Sequence, residues 1–190
     1  HQSDSDEDGL ADIIEASAVS YSNDIPWFDM TGATVMSPVS DVNYAIYSCE
    51  MPFTNRIAAL EVSLAVVDVN GLVYFGNAAT TNGLYSQDSG QDMSGNRSFP
   101  SIAVAPYWTD LKLRTSLGST ISHKRVAHSG QNYFVLQYGR IGTNSGISNN
   151  EVSFQVSIPE TSPSNVVYVK YGTLVDGRGD SNSYKVSVGA

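Results

Sequence analysis

Glu61-Val-Ser-Leu-Ala-Val-Val67, Asp68-Val-Asn70-Gly71 and Leu72-Val-Tyr-Phe75 follow one another without a break. Two runs of aliphatic, β-branched and aromatic residues flank a four-residue turn, and its Asn-Gly pair suits a tight reversal because both residues tolerate positive φ. The spacing predicts a strand over 61–67 with Val62, Leu64 and Val66 on one face, a turn at 68–71, and a second strand over 72–75. A hairpin at this point sets the class for what surrounds it, because from Asp41 onward almost no helical period is found.

Downstream, Ile102 to Ala105, Trp108 to Leu113 and Thr120 to Val126 read as further short strands. Val152, Phe154, Val156 and Ile158 alternate with Ser153, Gln155 and Ser157, which predicts a half-buried strand, and Tyr184, Val186 and Val188 repeat the pattern. Tyr133 to Tyr138 and Val166 to Tyr171 are more continuously apolar and read as central strands. Tyr133, Tyr138, Tyr168, Tyr171 and Tyr184 all fall in these runs, as suits strands. Asn77 to Pro100 is rich in Gly, Ser, Asn and Asp and reads as a surface excursion. About ten short strands around one core predict an all-β, antiparallel β-sandwich over 41–190. Residues 21–40 carry Pro26, Gly32 and Pro38 and read as a docking linker with Trp27 and Phe28 as apolar anchors.

Residues 1–20 have a different character. Asp4, Asp6, Asp8, Asp12 and Glu15 occupy positions one, three, five, nine and twelve of a loop with Gly9 at position six. Such spacing predicts a Ca²⁺ site: carboxylates converge from alternate positions, the Leu10 carbonyl supplies position seven, and Glu15 closes the shell with both oxygens. Leu10, Ile13 and Ile14 have helical spacing, and Ala16 to Ala18 extend it by a turn or two. Ten of the nineteen acidic residues precede the first basic one, Arg56, so the net charge of −9 originates in the N-terminal quarter. Without a divalent ion the six carboxylates between Asp4 and Glu15 repel one another, so order in the loop is expected to require calcium.

With 190 residues the chain has the size of one domain, and no segment approaches a membrane span. The ten Lys and Arg are scattered, which gives no basic face for nucleic acid. Beginning at His1 without a leader, the sequence reads as processed or trimmed. Cys49 is the one cysteine; it forms no disulfide within the chain and reads as a small buried hydrophobe. A loop of moderate calcium affinity and a surface rich in Ser, Asn, Thr and Gly predict an extracellular or cell-surface location.

Taken in order, Val69-Asn-Gly-Leu-Val-Tyr-Phe-Gly76, Ile102-Ala-Val-Ala-Pro-Tyr-Trp-Thr-Asp-Leu111, Val152-Ser-Phe-Gln-Val156, Val167-Tyr-Val-Lys-Tyr-Gly172 and Lys185-Val-Ser-Val-Gly189 resemble a nidogen-like extracellular β-sandwich over roughly residues 42–190. Where that group carries an aromatic-rich strand, this chain has Pro52-Phe-Thr-Asn-Arg-Ile57, which departs from the pattern. The N-terminal loop separately resembles a thrombospondin type-3 or dockerin calcium repeat, here in one copy. Together the resemblances imply a structural or adhesive unit of a secreted or surface protein, and neither implies catalysis.

Chemistry outside the calcium loop is sparse. His1, with a free amine and ring nitrogen, could form a copper brace with His123 or His128, as in copper-dependent polysaccharide monooxygenases. No G-x-S-x-G nucleophile is present, and Asp110, Glu151 and Glu160 have no acid–base spacing; Asp110 reads as a turn residue near the sheet edge. Arg178, Gly179 and Asp180 sit in a turn-forming stretch that would present them to an integrin-type partner, and Asn96-Arg-Ser98 is a glycosylation acceptor. Exposed tyrosines offer a sugar-stacking surface. The expected function is a calcium-stabilised, non-enzymatic extracellular adhesion or filament-building module that associates with itself, another extracellular protein or a glycan. Carbohydrate binding and copper-dependent oxidation are the alternatives.

Overall fold

The computed structural model describes residues 19–20, 25–37, 40–57, 60–78, 102–143, 150–160, 166–175 and 187–189. The strands are β1 (Val19–Ser20), β2 (Thr34–Val35), β3 (Ile46–Ile57), β4 (Leu60–Asp68), β5 (Val73–Gly76), β6 (Ile102–Trp108), β7 (Leu111–Lys112), β8 (Thr120–His128), β9 (Gln131–Thr143), β10 (Glu151–Pro159), β11 (Val167–Val175) and β12 (Ser187–Gly189). They form two sheets. The first runs β1-β11-β10-β9-β8-β2 with β7 beside the end of β9, and the second runs β12-β6-β5-β4-β3. All pairings are antiparallel except that of β1 with β11. The expected all-β sandwich is therefore present; the helical turn expected before residue 19 lies outside the described residues.

The core lies between the sheets. Ile57, Ala65, Val67 and Phe75 of sheet two meet Phe134, Leu136, Phe154 and Val156 of sheet one, all of them buried. Removing such side chains from water is what holds two sheets together, at about 1.5–3 kcal/mol for each large one. Tyr138 stacks on Phe154 with ring centroids 4.3 Å apart.

The opening hairpin forms as its sequence predicts, with Leu64 to Val67 paired to Val73 to Gly76. The single-face reading of Val62, Leu64 and Val66 is corrected. Val62 joins Ala65 and Val67 in the main core, whereas Leu64 and Val66 pack on the opposite face with Leu72 and Tyr74. The alternation of β4 breaks at Ser63, where the register shifts: between the pairs Glu50–Leu64 and Asn55–Val62, residues 51–54 of β3 stand opposite Ser63 alone. Pro52, which has no N–H to give a ladder, lies in this bulge, and the departing Pro52-to-Ile57 stretch is still strand. Along β3 the alternation itself is unbroken, with Tyr47, Cys49, Met51, Phe53 and Ile57 all on the core side.

Three further expectations are revised. Trp108 to Leu113 is not one strand: β6 ends at Trp108, the chain bends at Thr109 and Asp110, and β7 belongs to the other sheet. Among the described residues only the two-residue β1 lies outside β11, which puts it next to the edge of sheet one rather than at its centre. β10 is buried on both faces rather than one, since Ser153, Gln155 and Ser157 are as covered as the apolar residues between them.

Over Gln155 the cover comes from residues 25–30, part of the segment read as a linker. Ile25 and Phe28 form a small cluster with Tyr133 and Val135 on the outer face of sheet one, and Met30, Val126 and Tyr168 pack around it. Beyond it, β2 pairs with Ser122 and His123 of β8. The segment thus acts as a partial third layer.

Candidate functional site

Asp4, Asp6, Asp8, Leu10, Asp12 and Glu15, the expected calcium ligands, lie outside the described residues, as do His1, Asn96 and the Arg178-Gly179-Asp180 turn. Among the described residues, no group of three or more His, Cys, Asp or Glu is placed to hold a metal ion. No helix among them is long and apolar enough to cross a membrane.

The remaining candidates are drawn into structural contacts. His123 lies against Phe134, an inner-face residue, with ring centroids 5.8 Å apart, and His128 lies against Phe28 of the outer cluster at 5.9 Å. The alternation of β8 puts the two histidines on opposite faces, so they cannot serve one centre together. Glu160 receives Arg125 through both carboxylate oxygens, and this hydrogen bonding lowers its pKa. Glu151 pairs with Arg140 at 3.2 Å. Asp110 lies at the bend between β6 and β7, a turn position. Cys49 packs against the core, and burial pushes its thiol up to about 12, leaving almost no thiolate at neutral pH.

The motif residues meet one another instead. Asp68 and Asn70, both 0% exposed, form the hairpin turn. The Asn70 N–H donates to Asp68 Oδ1 at 3.0 Å, Asn70 Oδ1 accepts from the Leu111 N–H at 2.9 Å, and its carbonyl accepts from the Thr109 N–H at 3.1 Å. One asparagine therefore satisfies the backbone where the chain crosses between sheets. Gly71 has φ +91° and lies so close to Tyr107 that a Cβ would stand 2.0 Å from its carbonyl oxygen, so only glycine fits. From the opposite sheet, the Tyr138 hydroxyl sits 2.7 Å from the Asp68 carbonyl and 3.0 Å from that of Leu72. Burial first, then the nearby Asp68, raises the Tyr138 pKa well above its usual value.

A second junction holds the outer segment. Gln155 Oε1 accepts from the Phe28 N–H at 2.9 Å while its Nε2 donates to the Phe28 carbonyl at 2.8 Å and to Gln137 Oε1 at 2.8 Å. The Trp27 ring rests on Gly172, where a Cβ would approach it to 2.8 Å. Tyr171, next to that glycine, donates its hydroxyl proton to the Pro106 carbonyl of β6. Sequence reading took these stretches as core pattern and missed Gln155 and Gly172 as docking points. The signal was present in a buried-face position filled by glutamine and in a glycine inside a strand.

An opening lies on the side of the sandwich where β3 and β8 face each other. It has a volume of about 410 Å³ and is lined by Glu50, Met51, Pro52, His123, Lys124 and Phe134, together with Gly32, Thr34 and Arg125. Burial lowers the pKa of His123, which is accordingly neutral at physiological pH.

Neither the curated proteins nor the solved structures compared with the chain gave a match. The family model described as NIDO related matches residues 18–190. That span takes in both junctions and the segment from residue 25 that one of them holds, and so the chain belongs to the NIDO-related family, whose domains are typically extracellular and structural.

Proposed function

We propose that the chain is a non-enzymatic, extracellular adhesion module whose N-terminal loop is stabilised by Ca²⁺ bound to Asp4, Asp6, Asp8, the Leu10 carbonyl, Asp12 and Glu15. The observation that carries the scaffold reading is the use made of its motif residues: Asn70, Gly71, Gln155, Tyr171 and Gly172 are spent on joining layers, which leaves them no chemistry to perform. Calcium enters through the spacing of the loop alone. Isothermal titration of chelated protein tests it: calcium is expected to bind with measurable heat, and Glu15→Gln to weaken binding by removing a charge and a bidentate oxygen pair. A parent without heat, or a variant equal to the parent, overturns the loop assignment.

Carbohydrate binding is the second reading, and one observation favours it. Trp27 is 41% exposed while its ring is fixed against Gly172, so a preorganised aromatic surface faces solvent. Glycan-array binding that is lost in Trp27→Ala, with the fold retained, would select it. Filament assembly is a third outcome that sedimentation with and without calcium distinguishes. The long edge strand that would serve it, β3, carries a bulge, Pro52 and the exposed charges Glu50 and Arg56, features that oppose edge-to-edge pairing.

A further inference from the structure

A bulge in sheet one brings together side chains that lie far apart in sequence. In β10, Val152 and Phe154 face Ile141 and Tyr138 of β9 on one side and Leu174 and Tyr171 of β11 on the other, so Ser153 alone stands opposite two residues in each neighbour. On its β11 side is Gly172, on which the exposed Trp27 ring rests. On its β9 side is Arg140, whose N–H donates to the Ser153 hydroxyl oxygen at 2.9 Å. Gly172 and Arg140 therefore flank one serine and lie about 10 Å apart, two strand spacings.

Arg140 has φ +55°, a left-handed conformation that costs a residue with a side chain and that glycine takes freely. Ser119 helps to hold it there, donating its hydroxyl to the Arg140 carbonyl at 2.6 Å. The guanidinium bonds through Nε to Glu151 at 3.2 Å, the side chain is 59% exposed, and the two Nη nitrogens make no hydrogen bond among the described residues. An exposed pair of this kind returns too little to offset the strain, so the arginine is kept for something outside the fold.

Two further cations converge on Gly142, two residues along β9. Val152 and Ile141 face the core, so Gly142 and Glu151 face outward, as Ser153 does. Arg114 lies across Gly142, where a Cβ would stand 2.7 Å from Arg114 Cδ and Nε, and it also donates to the Thr143 carbonyl. Lys112 is the ladder partner of Gly142 on one side and Glu151 on the other. Asp41, 3.9 Å from Lys112, is itself engaged by the N–H and hydroxyl of Thr115. Three cations thus outnumber the two carboxylates paired with them, in a chain whose net charge is −9.

We propose that this face of sheet one binds an acidic glycan: one sugar ring stacks on Trp27, and an oxyanion of the neighbouring sugar, sulfate or carboxylate, is held by Arg140 and Arg114. The proposal rests on the carbohydrate reading and names its ligand class. Indole supplies a flat apolar surface, and a guanidinium fork matches either oxyanion. β9 is paired on both sides, by β10 and by β8 followed by β7, so it offers no ladder to an acidic peptide.

The test is an NMR titration of the ¹⁵N-labelled chain, with calcium at neutral pH and low salt. The probes are hexasaccharides of chondroitin sulfate, of hyaluronan, which carries carboxylate alone, and of neutral chitin, together with a pentaglutamate peptide. An acidic hexasaccharide is expected to shift the Trp27 indole and the Arg140 and Glu151 amides, and Arg140→Gly to weaken it about tenfold, the range for a charge-assisted hydrogen bond. Glycine accepts this φ, so the variant keeps the fold. Binding of hyaluronan identifies the carboxylate as the oxyanion, and binding of chondroitin sulfate alone identifies the sulfate. Arg140→Gly binding like the parent, chitohexaose bound as tightly as the acidic glycans, or pentaglutamate bound more tightly than they are overturns the proposal. Chitohexaose binding that is lost in Trp27→Ala would then still uphold the carbohydrate reading, whereas no shift with any hexasaccharide at millimolar concentration ends both.

Discussion

Gln155 and Phe28, 127 positions apart in sequence, meet as though they were paired strand residues: the glutamine amide both accepts from and donates to the Phe28 backbone. A side chain thus completes what a neighbouring strand would otherwise supply. Gln155→Leu keeps the volume and removes all three amide bonds, leaving the Phe28 N–H buried without a partner. A loss of about 2–3 kcal/mol is expected in urea unfolding, the cost of an orphaned buried donor plus the lost bonds. A change under about 0.5 kcal/mol, the scatter of neutral surface variants, would show that the apolar cluster alone holds the segment.

Gly71 is the most restrictive position of the hairpin. Gly71→Ala places a methyl group 2.0 Å from the Tyr107 carbonyl at a φ of +91°, so backbone must move on one side or the other. Loss of at least about 3 kcal/mol, or failure to fold, is expected. Tyr138→Phe is the milder companion. The carbonyls of Asp68 and Leu72 keep the N–H groups of Gly71 and Asp68 as donors, so about 1 kcal/mol is expected.

Stability should also respond to mild acid through His123. Its folded pKa lies below the ordinary 6.5 because burial disfavours the charged ring. The unfolded chain therefore takes up a proton first as pH falls. Stability is complete above about 6.5 and declines as pH drops from there toward the folded value. Denaturation curves near neutrality and near pH 5 should differ more for the parent than for His123→Gln. Asp29, Asp41 and Glu160 have lowered pKa values, so what they contribute is retained until pH falls through the carboxylate range. Equal pH dependence in parent and variant would remove His123 as the source.

Truncation should separate appendage from fold. Removing residues 1–18 leaves every described strand and is expected to give a cooperative unfolding transition. Removing residues 1–30 strips Ile25 and Phe28 from Tyr133 and Val135 and is expected to cost about 3–6 kcal/mol, the burial of two large side chains. An unfolded 19–190 chain, or a 31–190 chain as stable as it, would refute this division.

The hairpin at Asp68 to Gly71, the central β9 and the alternation of β10 were legible because each has a local pattern of its own. What the pattern could not carry was the identity of the neighbours. Val167 and Val169 face the core while Tyr168 meets the outer cluster, so β11 has the two-faced apolar character of a central strand although it lies beside the edge. Gln155 reads as part of a solvated face because its cover, Phe28, lies 127 positions away. Val62 falls on the other face from Leu64 because the alternation of β4 breaks at Ser63, which leaves no hydrophobic signal. The candidate calcium and integrin-type residues rest on motif spacing, and the groove at Glu50 joins residues from four strands, which no single stretch of sequence could display.

The Gln155 and Gly172 docking points also define how the molecule would respond to pulling. Tension applied from the N-terminal side loads the pairing of Val19–Ser20 with β11 and then the segment at residues 25–30, where the Gly172 and Gln155 contacts hold the Trp27 ring and the Phe28 backbone. These would yield before the strands of the core, releasing length and dissipating work while Phe134, Phe154 and their neighbours stay packed. Loaded in that direction, the segment is expected to act as a fuse that resets when the load is removed.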